Sequence, residues 1–228
     1  MEANVNTQKV SGEKPSLFGM ITSPSLQFER MRTNAPVWGA FFLMAVLIGI
    51  VGAIAAYLVS TDPVVIARNK ELGFEVPIAV TLGTGFALAA IGAMITFFIG
   101  AAFYKVLMMF MSNDTSYKKL LAITVYSSII TFLGGIINMV LALILGGNGQ
   151  EMYTGLGPLF ASTGGVAHGI AKSFEVFAIW GLAVTGLGLH ITAGLSKKQA
   201  IILVVVFFVL SMVFGALGGV FSGLVPKP

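Results

Sequence analysis

Five stretches of this chain run for twenty residues or more without a single Asp, Glu, Lys or Arg: 36–60, 78–104, 120–145, 176–195 and 199–225. An α-helix needs about 20 apolar residues to cross roughly 30 Å of hydrocarbon. In lipid its backbone polar groups must be satisfied inside the segment. The pattern therefore predicts an all-α integral membrane protein with five transmembrane helices. Composition agrees, with 57% hydrophobic and 10% charged residues where a soluble domain carries about 25% charged. Soluble enzymes, disordered chains and nucleic-acid-binding modules are excluded on that ground. The sequence pI of about 9.4 is assigned to membrane orientation rather than to a nucleic-acid partner. The chain has no cysteine, so disulfides, thiol nucleophiles and cysteine metal sites are absent.

The flanks carry the orientation signal. Arg30, Arg32, Lys105, Lys118, Lys119, Lys197 and Lys198 fall on one side of the predicted spans. Arg68, Lys70, Lys172 and Lys227 fall on the other. The positive-inside rule puts the N-terminus in the cytoplasm and the C-terminus outside the cell membrane. No secretory signal is recognisable in the first 35 residues, so the first span is expected to act as an uncleaved anchor. Residues 1–15 read as a disordered cytoplasmic tail. Residues 16–35 read as an amphipathic helix lying on membrane lipid, anchored by Phe28, Arg30 and Arg32, with Ser23 and Pro24 opening it. Residues 36–228 form the five-span domain. Of the two outer loops, 61–77 predicts a short helix capped by Asp62 and closed by Gly73. The longer loop, 146–173, is rich in glycine and has few charges. It is expected to dip toward the interface or to meet a partner through Tyr153 and Phe160.

Little in the spans suggests chemistry. His168 lies in the outer loop and His190 in the fourth span, with no set of converging ligands around either, so no metal, cofactor or catalytic group is expected. His190 is read as a hydrogen bond to a neighbouring helix, and Asn138 as glue between helices. Counted from the segment centres, these two differ by roughly 15 Å in depth, so they should not touch. Small residues recur at helical spacing: Gly85, Ala89 and Gly92 in the second span, Gly181 and Gly188 in the fourth, and Gly215 and Gly219 in the fifth. Such stripes let helix backbones approach closely, inside the bundle or against another protein.

Three motifs carry a family resemblance. Ile21–Arg32 (ITSPSLQFERMR) followed by Pro36 resembles the entry segment of bacterial Yip-domain membrane proteins. Ser116–Leu121 (SYKKLL) is similar to the segment after their second span, and Phe174–Trp180 (FEVFAIW) to their Phe-x-x-Trp element. The resemblance covers about residues 20–215. It implies five spans, a cytoplasmic N-terminus and an outer C-terminus; eukaryotic members of the family act with Rab-type GTPases in membrane traffic. Length and layout most resemble a small membrane subunit that accompanies a macrolide-exporter-type ABC assembly. That implies a non-catalytic accessory role beside a permease, an ATPase and a membrane-fusion protein, in export of or resistance to a toxic peptide. The alternative is an autonomous channel or carrier for a small solute.

Overall fold

The computed structural model describes residues 13–73 and 75–224, and the described chain is helical apart from one isolated bridge between Gly155 and Glu175. The predicted tail up to residue 12 and the last residue of the fifth predicted span lie outside the described residues. In chain order the helices are α1 (Gly19–Thr22), α2 (Pro24–Thr33), α3 (Trp38–Ser60), α4 (Pro63–Glu71), α5 (Ile78–Phe110), α6 (Tyr117–Leu145), α7 (Gly165–Lys172), α8 (Val176–Ile191) and α9 (Lys197–Leu224). Four of them, α3, α5, α6 and α9, are long and apolar enough to cross a membrane. Their outward faces carry exposed Phe, Leu, Ile and Val side chains, such as Leu88, Ile99, Ile144 and Phe214. That is the surface of a helix bundle whose surroundings are hydrocarbon.

α3, α5 and α6 run up, down and up between two ends of the bundle. The near end holds the N-terminal helices, and the far end holds α4. α3 and α5 pack most closely. A methyl group added at Gly52 would overlap the Ala89 side chain, and one at Gly85 would come 2.8 Å from the Gly52 carbonyl oxygen. Asp62 caps α4 as its sequence predicts: its carboxylate accepts from Val64 N–H at 2.9 Å and from the Asn148 side chain at 2.8 Å. Those two hydrogen bonds, Asn148 first, hold the Asp62 pKa below the usual carboxylate value.

The N-terminal segment departs from the surface-lying helix expected of it. It forms two short helices that meet at Ser23–Pro24, with Pro24 at the first helical position. Met20, Phe28 and Met31 are fully buried, because α1 packs on α6 and α2 on α8. The Phe28 ring lies against Gly188 and close to Ile123, and its carbonyl accepts from the Thr192 hydroxyl at 2.7 Å. Phe28 is a core residue of the bundle, not a lipid anchor. Arg32 is exposed. Arg30 pairs with Glu13 and Gln27 rather than standing free toward lipid phosphate.

The fourth predicted span, 176–195, is shorter than its hydropathy suggests. α8 ends at Ile191, and the Ala193 carbonyl is captured by Asn113 Nδ2 at 3.0 Å and Thr115 Oγ1 at 2.8 Å. Its 16 residues are about 24 Å long, less than the roughly 30 Å of a bilayer core.

Candidate functional site

What completes the length missing from α8 is the segment before it. α7 runs antiparallel to α9, with Gly165 beside Gly219 and Gly169 beside Gly215. At Gly169, Gly215 and Gly219 an added methyl would overlap the opposing backbone. Two GxxxG faces, Gly165/Gly169 and Gly215/Gly219, thus close on each other. The small-residue stripe of the fifth span is consumed inside the chain. Gly215 is about 13 Å from the far end of α9, so α7 descends well into the bundle before the chain turns at Ser173–Glu175 and resumes as α8. Gly134 of α6 lies against Phe177, about 16 Å from the far end of α6. The loop 146–175 therefore folds back into the bundle, and α7 and α8 follow one another along α9 with a break at Ser173–Glu175.

An interruption at that depth exposes backbone groups that lipid cannot satisfy. Here the chain supplies partners. Leu156 N–H donates to the Phe174 carbonyl at 3.1 Å, and Val176 N–H to the Thr154 carbonyl at 3.3 Å. Asn138 then ties the loop to α6. Its Nδ2 donates to Thr154 Oγ1 at 2.7 Å and to the Gly134 carbonyl at 2.9 Å, and its Oδ1 accepts from Thr154 N–H at 2.9 Å. Thr154 Oγ1 donates in turn to Glu175 at 2.5 Å, and Glu175 caps α8 by accepting from Ala178 N–H at 2.6 Å. Glu175 is 8% exposed. Its charge is offset by these donors and by the positive end of α8.

Above this network α5, α6, α8 and α9 enclose a cavity of about 1050 Å³. Its near end is closed where Phe207 of α9 meets Phe103 and Tyr104 of α5, with ring centroids 5.2 and 4.5 Å apart. Beyond that clasp α5 and α9 do not pack against each other, and the cavity fills the space between them as far as Ser222. Phe207 and Ser222 are about 22 Å apart along α9. The far part is lined by Glu151, His168 and Lys172. Glu151 lies 3.1 Å from both His168 Nε2 and Lys172 Nζ. A carboxylate has no proton to give, so this geometry requires Nε2–H on His168. The set combines one anion, one cation and an imidazole at a depth where ionisable groups mark binding sites or pathways.

The residues singled out in the sequence scatter over this architecture. Gly85 and Ala89 pack on α3, Gly188 on Phe28, and a methyl added at Gly181 would come 3.1 Å from the Thr131 methyl. Gly92 has nothing within 4 Å of an added methyl and makes no packing contact. His190 is not a bridge between helices. Its Nδ1 lies 2.6 Å from the Leu195 carbonyl, in the turn that follows its own helix. Asn138 joins a helix to a loop. Tyr153 folds back on Gly147, whereas Phe160 is exposed on the 3-10 turn Gly157–Phe160. Sequence reasoning passed over Gly49 and Gly52, Glu175, and the Glu151–His168–Lys172 set. The Gly165-x-x-x-Gly169 spacing inside a supposed loop was the one available sign of α7.

The Yip1 domain family matches residues 18–218, almost the whole described chain. Membrane protein YknW of Bacillus subtilis (strain 168) is 36% identical over 234 positions, covering 99% of this chain and 97% of YknW. No solved structure gives a match. The family match begins at the buried α1–α2 segment and ends within the α7–α9 contact, taking in all of the cavity lining but its last residues on α9, and the chain belongs to the Yip1 domain family of membrane proteins.

Proposed function

We propose that the chain is a non-catalytic accessory subunit of an ABC-type exporter. In this reading it sits in the cell membrane beside a permease, an ATPase and a membrane-fusion protein, and contributes to export of or resistance to a toxic peptide. The observation that carries the reading is the likeness to YknW along essentially the full length of both chains. It is supported by the resemblance in length and layout to a small family member that accompanies such an exporter. The chain then crosses the membrane five times, with α7 and α8 together as the fourth crossing, the N-terminus cytoplasmic and the C-terminus outside. Exposed Leu159 and Phe160 on the far end would meet the fusion protein, and exposed Arg32 would face the ATPase side.

Deletion genetics tests the role. Loss of this chain should give the same sensitivity as loss of the exporter, and the double deletion should be no worse. The protein should also co-purify with the permease or the fusion protein. The cavity favours a second reading, an autonomous carrier. Additive deletion phenotypes, or solute flux by the purified protein alone in liposomes, would establish that reading and overturn the first. Reporter fusions after Lys119 and Lys198 should read cytoplasmic, and fusions after Gly73 and Gln150 external; the reverse would overturn the orientation.

A further inference from the structure

We infer that the cavity between α5 and α9 is a binding site for an amphiphile bearing a protonated primary amine. This inference stands apart from the exporter reading, since it concerns what the cavity holds in whatever complex the chain joins.

The size comes first. At about 1050 Å³ the cavity is at the upper end of small-molecule sites, which run from roughly 300 to 1,000 Å³. Its walls are largely apolar side chains such as Ile48, Phe97, Leu182 and Phe207, and these suit an aliphatic body.

Six hydroxyls on the lining present lone pairs only, while Gln150 and Ser127 on the same lining keep protons of their own. The hydroxyls of Thr96, Thr124, Ser128, Thr131, Thr185 and Ser211 all line the cavity, and each donates its proton to a carbonyl of its own helix at 2.7–3.0 Å. A hydroxyl has one proton and two lone pairs. With the protons committed, these groups can offer a ligand only acceptor oxygens. Ser127, which also lines the cavity, is 3% exposed, and its Oγ has no partner. An alkylammonium has the opposite inventory, three donors and no acceptor.

The charged set supplies the counter-ion. Glu151 is the one carboxylate on the lining, and it already holds an ammonium, that of Lys172, at 3.1 Å. The Lys172 side chain is 41% exposed, so its ammonium has room to move off Glu151 while a ligand's ammonium takes its place. Charge is conserved in that exchange. Lys172 thus stands in the unliganded protein as a tethered occupant of the ligand's cation position.

The test uses the full chain in nanodiscs and a photoreactive alkylamine, with the photoreactive carboxylate of equal chain length as control. The amine should label peptides containing Phe97, Leu182 and Phe207 in preference to the carboxylate. A hydrogen bond to a charged group contributes about 1.5–3 kcal/mol, so Glu151→Gln should weaken labelling roughly tenfold or more. Lys172→Ala should strengthen it several-fold, because the tethered competitor is gone, and a misfolded protein could not produce a gain. Two arms identify the source of the amine. If phosphatidylethanolamine, but not phosphatidylglycerol, in the nanodisc suppresses labelling, the occupant is a bilayer lipid; if neither does, it is an amphiphile from outside the bilayer. Equal labelling by amine and carboxylate, or no gain with Lys172→Ala, overturns the inference.

Discussion

Gly169→Leu tests whether α7 is held in the bundle by backbone proximity. Gly169 and Gly215 meet backbone to backbone, so an added side chain has no flexible neighbour to push aside. Overpacking costs about 1–3 kcal/mol, and a contact between two main chains belongs at the upper end. Leucine also returns roughly 0.8 kcal/mol of helix propensity relative to glycine, which leaves a net cost of about 2 kcal/mol. The contacts of Glu151 with Lys172 and His168 are partly exposed and contribute about 0–1 kcal/mol, too little to offset it. α7 has eight residues, so the loss should appear as local opening rather than global unfolding. At about 1.4 kcal/mol per decade, the open population rises roughly 30-fold. The chain contains no cysteine, so a single Ala171→Cys, at a position 5% exposed on α7, reports opening through its maleimide labelling rate. The rate should rise about 30-fold with Gly169→Leu and stay within about twofold of the parent with Gly92→Ala, since Gly92 faces open space. An unchanged rate with Gly169→Leu would refute the packing argument.

Three further outcomes follow from the structure. Phe28→Ala should lower stability by about 3–5 kcal/mol in detergent unfolding, whereas exposed Arg32→Ala should stay within about 0.5 kcal/mol; equal effects would contradict burial of α2. Asn138→Leu removes the donor to Thr154 and strands polar groups beside Glu175, so it should cost about 1–3 kcal/mol in detergent unfolding, while a silent variant would mean the network holds nothing. For Asp62 the folded pKa lies below the ordinary carboxylate value. Its contact with Asn148 is therefore fully present above that value and is lost as pH falls through the lower folded value. Hydrogen exchange in α4 should rise only in that acid range, and Asp62→Asn should remove the dependence.

Much of the bundle was legible because hydropathy over twenty residues depends on nothing but the segment itself. α3, α5, α6 and α9 follow from that, as do the α4 cap at Asp62 and the Gly85/Ala89 face. The α7–α8 break was not legible. A glycine-rich run such as 164–169 scores as loop by propensity and becomes helix only because Gly215 and Gly219 lie across from it. Phe28 misled for a related reason: an alternation of apolar and basic residues fits a lipid surface and a protein surface equally, and what decides between them is Gly188, 160 positions away. Glu151 stands 17 residues before His168, so no spacing rule joins it to the His168–Lys172 pair. Glu175 stands just before an apolar run that hides its use as a cap in the bundle interior.

The shortness of α8 also bears on how the chain reaches its membrane. A segment of 16 residues preceded by Lys172 and Glu175 has little tendency to leave the translocation channel sideways by itself. α9 is the most hydropathic of the long helices and emerges directly after it. The interrupted segment is thus expected to wait for α9 and to enter lipid with it as a hairpin, with α6 already in place to receive Thr154 and Phe177. Stopping synthesis before α9 should leave α7 and α8 outside the bilayer, accessible to protease. The order of integration along the chain would then depend on tertiary partners for this one element and on hydropathy for the rest.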